Sequence, residues 1–356
     1  MRIASPIFWK DKQVLLTGHT GFKGAWLAFW LSQMGAKVTG ISLAPSSTPN
    51  LFTLANIEQM TNSHFADIRD ADAVSNIAKK AQPEIVLHLA AQALVRPGYI
   101  DPLGTFATNI MGTANVLNAT RGVNSVKAIV AVTTDKVYKN LETGRAYKED
   151  DQLGGYDPYS ASKAASEIII SSYRDSYLAE QGVAIASARA GNVIGGGDWS
   201  EDRLIPDAVL AWDSDLPLEI RRPNAIRPWQ HVLEPLNGYL VLAEKLYTDL
   251  SFSGAYNFGP KTNEAATVKT VIELANKAYG CGSVVWGDGT EGPHEANLLS
   301  LEILKARELL GITPRWNLTE TIKLTMGWYQ QQRSGVNAHL LCDADIAAFS
   351  SARKLD

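Results

Sequence analysis

Cysteine is scarce: Cys281 and Cys342 are the only two in 356 residues. Their spacing suits neither a metal site nor a redox pair, so no disulfide framework or thiolate centre is expected. Metal ligation in general is not expected. Long hydrophobic runs are missing as well. None approaches the ~18–20 residues of a membrane-spanning helix. Met1 to Lys12 lack the apolar core of a secretion signal. Charge of one sign is missing too: the net charge is -4. That gives no general pull toward nucleic acid. The remaining expectation is a cytoplasmic protein that handles a small molecule, with no nucleic-acid or membrane partner. At 46% hydrophobic and 20% charged residues the composition is that of a soluble globular chain. The length allows one large or two modest domains.

What is present is a regular alternation. Val14–Leu16, Val38–Leu43, Ile85–Leu89, Ala128–Val132 and Val183–Ala188 are short apolar runs that read as strands. Between them lie helical stretches, Phe22–Met34, Asp70–Ala81 and Asn109–Arg121 among them. Such alternation predicts an α/β fold, a doubly wound parallel (Rossmann) sheet with helices on both faces. Ligands bind such sheets at the carboxyl ends of the strands. After Gly191 the texture changes to short segments punctuated by Pro206, Pro217, Pro223, Pro228 and Pro235. Residues 1–190 are therefore read as a dinucleotide-binding domain. Residues 191–356 are read mainly as a smaller mixed α/β substrate domain, with a segment near 229–260 returning to the first.

Gly18, Gly21 and Gly24 stand three apart at the first strand-to-helix turn. Glycines let the chain turn sharply and let backbone amides approach a pyrophosphate at a helix N-terminus. The spacing is weak alone and strong in this context. Phe22 and Lys23 complete the loop. An acidic residue for the ribose usually follows the second strand. Here that strand runs into Gly40-Ile41-Ser42-Leu43-Ala44, with neither an acid nor an arginine. This position leaves the choice between NAD and NADP open. Asp67-Ile68 follows a third apparent strand, where it either meets the adenine or caps a helix.

Tyr159 and Lys163 stand four apart, which puts them on one face of a helix. A nearby ammonium lowers a phenol's pKa, so the pair suits a base. These marks, with Leu89-Ala90-Ala91-Gln92, Asn109 and Thr133-Thr134-Asp135, resemble the extended short-chain dehydrogenase/reductase superfamily. Thr134-Asp135-Lys136-Val137-Tyr138 is similar to the strand-end motif of its nucleotide-sugar 4,6-dehydratases. The common branch has Glu after the Asp, and this chain has Lys136. That departure, with Arg189–Trp199, Asp202–Asp207 and Ile226–Pro235, resembles the branch that acts on CDP-glucose.

The resemblance implies NAD as an internal hydride carrier and a nucleotide sugar as substrate. It implies that Tyr159, helped by Thr134, takes the 4-hydroxyl proton, and that Asp135 is the acid for the 6-hydroxyl. Lys136 then handles the proton on carbon 5, as a neutral amine or as an ammonium stabilising the enolate. Thr108, Asn192 and Lys163 join the loop residues around the cofactor. Gln92, Arg96, Asn192, Arg203, Leu204, Arg227, Asn257 and His294 are the substrate candidates, with Arg227 the best phosphate clamp. For His294 a structural role stands beside that one, and for Arg96 a loop carboxylate. The tryptophans are core residues by default; Trp199 and Trp229 lie near the cleft. A homodimer or homotetramer, and a later deoxysugar of a surface polysaccharide, are likewise implied. Two other readings remain. A 4-epimerase would need no Asp135–Lys136 pair, and a non-catalytic binder tends to lose Tyr159 or Lys163.

Overall fold

The computed structural model describes residues 2–142, 144–289 and 299–352. Seven parallel strands form the central sheet: β1 (Gln13–Thr17), β2 (Lys37–Ser42), β3 (Asn62–Phe65), β4 (Ile85–His88), β5 (Ala128–Val132), β6 (Ala184–Ala190) and β7 (Gly254–Phe258). Their order is β7-β6-β5-β4-β1-β2-β3. Every pairing in it is parallel. β5 and β6 are buried at every position, which explains why they read as unbroken apolar runs.

Two apolar layers sandwich the sheet. On one side α1 (Phe22–Gln33) packs its buried Trp26, Leu27, Phe29 and Leu31 into the larger core. On the other, α2 (Ala71–Ala81) and α3 (Gly112–Thr120) cover Leu15, Val86 and Ile129. The boundaries follow local chemistry. Asp70 caps α2 by accepting from the amide of Ala73. Asp157 caps α4 (Pro158–Tyr173) through Ser160, with Pro158 in the first turn.

The expected helix over 109–121 is α-helical only from Gly112. Residues Ala107–Met111 form a π-helical turn ahead of it. Such turns often occur at functional positions, and Thr108 of this one lines the main cavity.

After β6 the chain builds α5 (Leu204–Asp213) and returns through α6 (Leu233–Thr248) to β7. α6 is buried along most of its length. Further on come α7 (Val268–Tyr279), α8 (Leu318–Arg333) and α9 (Ala338–Ser351). Strand pairs of two or three residues stand outside the main sheet. Leu218–Ile220 pairs with Val284–Trp286, and Val193–Ile194 with Gln230–His231. No described helix is long and apolar enough to cross a membrane.

Candidate active site

The order of strands reverses between β1 and β4. A cavity of about 530 Å³ opens at the carboxyl ends of the strands there. A second one, of about 230 Å³, shares Asn192, Asp198 and Arg203 with it.

The glycine loop forms the floor. Gly18 has φ +79, and a Cβ there would lie 2.8 Å from the amide nitrogen of Ala90. A Cβ on Gly24 would lie 1.9 Å from the Gly18 carbonyl oxygen. Both positions therefore demand glycine. Thr17 Oγ1 accepts from the amides of Leu89 and Ala90, each at 3.1 Å, tying the β4 loop to the glycine turn. His19 lies buried beneath Gly40, and burial pushes its pKa down to about 4, so it is a neutral prop. Gly18, Gly21, Phe22, Lys23 and Gly24 all line the cavity, as do Leu89, Ala90, Ala91 and Gln92.

At the far end, Ser42, Ser46, Ser47 and Asn50 line the wall where an acidic residue was looked for. Thr20 Oγ1 shares a hydrogen bond with Ser42 Oγ at 2.7 Å. Asp67 and Ile68 line this end too. Asp67 is not the helix cap: Asp70 is. Asp67 instead pairs with Arg69 at 2.6 Å, which holds its carboxyl below the usual range. These residues fit a dinucleotide: a backbone cradle for a diphosphate, and a polar seat for the ribose in which Arg69 is paired with Asp67. Among the described residues, no three His, Cys, Asp or Glu side chains gather as a metal site would require.

The opposite end carries the chemistry. β5 delivers Thr134, Asp135 and Lys136 to the cavity, and α4 delivers Tyr159 and Lys163. Thr134 Oγ1 donates to Asp135 Oδ1 at 3.0 Å. It is also hydrogen-bonded to Tyr159. Asp135 is fully buried, and its Oδ2 has no hydrogen-bond partner among the described residues. Lys136 Nζ stands 3.7 Å from Asp135 Oδ1, and the lysine side chain is 29% exposed.

Lys163 Nζ donates to the Val132 carbonyl at 2.8 Å, and burial lowers its pKa to about 8. Here the structure departs from the sequence reading. Tyr159 is not brought down by Lys163. Burial dominates and raises the phenol to about 12, against the opposing effects of Thr134 and Arg203. In this state Tyr159 is a neutral phenol.

Behind these groups lies a network the sequence reading missed. Glu167, one turn beyond Lys163, pairs with Arg189 and accepts from Thr133 and Ser187. Its only signal in the sequence is the four-residue step from Lys163. Asn109 makes a second brace. It exchanges hydrogen bonds with the backbone of Gln92 and donates to Ser162.

The substrate candidates divide. Asn192 lines both cavities with a buried Oδ1 that has no partner among the described residues. Arg203 lines both, and Leu204 and Arg227 line the smaller one. Arg227 is buried, and one of its nitrogens donates to the Ile226 carbonyl. Gln92 lines the cavity, but its side chain is bound to Leu94 and Thr105. Arg96 pairs with Asp202 at 2.6 Å, the carboxylate reading rather than the sugar one. Asn257 is a correction. It is fully buried away from both cavities, with its amide donating to the carbonyls of Tyr147 and Glu302 and accepting from Tyr138. Its polar atoms hold loops together and leave none for a ligand. His294 lies outside the described residues. Trp199 lines the main cavity and Trp229 the smaller one.

A glycine cradle at a sheet's switch point, with Tyr and Lys four apart beside it, defines the class: an enzyme of the extended short-chain dehydrogenase/reductase type. The chain matches the GDP-mannose 4,6 dehydratase family model over residues 15–325, and it belongs to that family. It is 44% identical over 351 residues to CDP-glucose 4,6-dehydratase of Salmonella typhimurium, covering 97% of this chain and 98% of that one. It is 28% identical to dTDP-glucose 4,6-dehydratase of Streptomyces griseus, over 90% and 95% of the two chains. Among solved structures, UDP-glucose 4-epimerase of Thermotoga maritima superposes with a TM-score of 0.78 at 22% identity, over 90% and 99%. UDP-glucose 4-epimerase of Thermus thermophilus, in complex with NAD, superposes with 0.77 at 25% identity, over 89% and 98%.

Proposed function

We propose that this enzyme converts CDP-glucose to CDP-4-keto-6-deoxyglucose and water, using NAD that is regenerated in each turnover. One observation carries the reading: Thr134, Asp135 and Lys136 meet Tyr159 and Lys163 in one cavity. An epimerase would need no acid and base for carbons 5 and 6, and here an Asp–Lys pair stands beside the tyrosine. The relative at 44% identity supports CDP-glucose as the substrate.

The loop of Gly18, Gly21 and Gly24, with Phe22, suits the cofactor's diphosphate, and Asp67 and Ile68 its adenine end. Leu89, Ala90, Ala91, Thr108 and Asn192 line the rest of its path. The serines at the end of β2, with Arg69 tied to Asp67, suit a free ribose rather than a ribose phosphate. NAD held there would supply a hydride acceptor for carbon 4, a hydride donor for carbon 6, and a positively charged nicotinamide ring. Tyr159, a neutral phenol in the ligand-free site, takes the 4-hydroxyl proton once it has ionised to the phenolate, with Thr134 holding the same oxygen. Lys163 positions the ribose and adds positive charge beside the phenol. Asp135, buried with one oxygen unpartnered among the described residues, suits the acid that releases the 6-hydroxyl as water. Lys136 handles the proton of carbon 5. The smaller cavity, with Arg203, Leu204 and Arg227, suits the nucleotide end of the substrate.

The sheet layer thus serves the cofactor and the segments after 191 mainly the sugar nucleotide. A homodimer or homotetramer fits the exposed apolar side chains on adjoining helices: Ile100, Leu103 and Met111 on one side, Ile168 of α4 on the other. A deoxysugar pathway would consume the product.

The test is an incubation with CDP-glucose deuterated at carbon 4, without added reductant. The expected product is a 4-keto-6-deoxy sugar carrying that deuterium at carbon 6. Recovery of CDP-galactose, or of unchanged substrate, would refute the reading.

A further inference from the structure

Thr17 and His88 are the last residues of β1 and β4, and they stand opposite each other in the register of the sheet. His88 is buried, and its ring joins two hydroxyls. Nδ1 lies 2.7 Å from Thr17 Oγ1, and Nε2 lies 3.0 Å from Thr113 Oγ1 in α3. The neighbours decide which atom donates in each contact. Thr17 Oγ1 already accepts from the amides of Leu89 and Ala90, which takes both of its lone pairs. Its one proton therefore points at His88, and Nδ1 accepts. At the other end Thr113 Oγ1 donates to the Asn109 carbonyl at 2.6 Å. A carbonyl only accepts, so that proton is spent and Nε2 must donate. Both ends independently demand the same neutral tautomer, with the proton on Nε2. Burial and the charge of Lys163 push the ring's pKa down to about 3, in agreement.

The hydrogen bonds continue past Thr113. Asn109 sits in the π-helical turn, and its carbonyl takes Ser166 Oγ as well. Its side chain holds the backbone of Gln92 and donates to Ser162 Oγ, which donates to the Tyr159 carbonyl. A chain of bonds with fixed donors thus leads from the glycine turn, through His88, to the helix that carries Tyr159 and Lys163. Thr17, His88 and Thr113 line neither cavity.

We infer that His88 is a positioning residue for hydride transfer: locked in one tautomer, it sets the register between the loop that holds the cofactor and the helix that holds the tyrosine. This rests on the functional reading above, in which hydride crosses from a sugar oriented by Tyr159 to a cofactor seated at Gly18, Leu89 and Ala90. Transfer across such a gap is sensitive to small displacements. The other tautomer would set two protons between Nδ1 and Thr17 and none between Nε2 and Thr113, and would break the chain at both ends.

The experiment starts from Thr113→Val, which keeps the shape of the side chain and removes its hydroxyl. Its kcat for the 6-deoxy product is expected to fall about tenfold or more, with KM for CDP-glucose little changed and a larger isotope effect from deuterium at carbon 4. Thr113→Ser restores the hydroxyl and should restore both. His88→Leu should match Thr113→Val, and the two together should fall no further than His88→Leu alone, because they cut one chain. In NMR spectra of enzyme labelled at its histidine nitrogens, the His88 ring is identified by its displacement in Thr113→Val. It should show the proton on Nε2 and no titration across neutral pH. Lower stability with an unmoved isotope effect would mean packing alone and would overturn the inference. A proton on Nδ1, or wild-type turnover by Thr113→Val, would overturn it too, and each of these leaves the dehydratase reading standing. Failure of the wild type to convert CDP-glucose would overturn that reading, and this inference with it.

Discussion

Lys136 Nζ stands 3.7 Å from Oδ1 of Asp135, and the other oxygen of that carboxyl is buried without a partner among the described residues. The two groups are close enough to share a proton through a small shift or one water. In the proposed mechanism they serve the elimination half of the reaction, and Tyr159 and Thr134 the 4-hydroxyl.

Lys136→Ala should therefore uncouple the two halves. Hydride transfer should persist, seen as bound reduced cofactor absorbing in the near ultraviolet on addition of CDP-glucose. Release of the 6-deoxy product should fall by about 10²-fold or more, the usual scale for loss of one proton-transfer group. The lysine side chain is partly exposed, so the fold should tolerate the change. Unimpaired turnover by the variant would exclude Lys136 from the mechanism.

Burial of lysines sets a pH dependence of stability in the ligand-free protein. Lys163 is lowered to about 8 and Lys23 to about 7, against 10.5 for an exposed lysine. Between the folded and unfolded values the unfolded chain binds more protons, so stability rises with pH. From pH 8 to 9 each buried lysine should add about 1 kcal/mol to the unfolding free energy. The buried carboxyls Glu234 and Asp345, both raised to about 7, have largely finished titrating by then. The buried tyrosines act only at higher pH. Urea unfolding at pH 8 and pH 9 measures the slope, and Lys163→Met should reduce it. A flat or falling curve in the wild type would show that these lysines are not desolvated.

Much of this was legible beforehand, and the physics says which parts. β5 was read at its true bounds because a strand buried on both faces must be apolar throughout. The glycine loop was legible because two of its positions admit no side chain. The π-helical turn at Ala107–Met111 carries no periodic mark, so its part from Asn109 onward was read as ordinary helix. The strand pairs that border the smaller cavity are two or three residues long, too short for alternation to show. Asn257 was misplaced for another reason. Its residue type and neighbourhood resemble a contact region, but only the fold shows its amide spent on Tyr138, Tyr147 and Glu302. The expected effect of Lys163 on Tyr159 failed because spacing on a helix says nothing about desolvation, which here outweighs it.

The pairing of Glu167 with Arg189 is the strongest test of what holds the site in place. Both side chains are 4% exposed, and their closest approach is 2.9 Å. The carboxylate also accepts from Thr133, the neighbour of Thr134, and from Ser187 on β6. Arg189→Ala would leave a buried carboxylate without its counter-ion. That should cost on the order of 3–5 kcal/mol of unfolding free energy, measured with guanidinium. Arg189→Met combined with Glu167→Met should recover most of the loss, because a hydrophobic pair avoids the unpaired charge. Turnover should not recover with it. Thr133 would lose its anchor, and Lys163 would lose the carboxylate that raises its pKa. The pH profile of the oxidation half-reaction should then shift to lower pH on its alkaline side. A double variant as active as the wild type, with an unmoved profile, would reduce the pair to packing.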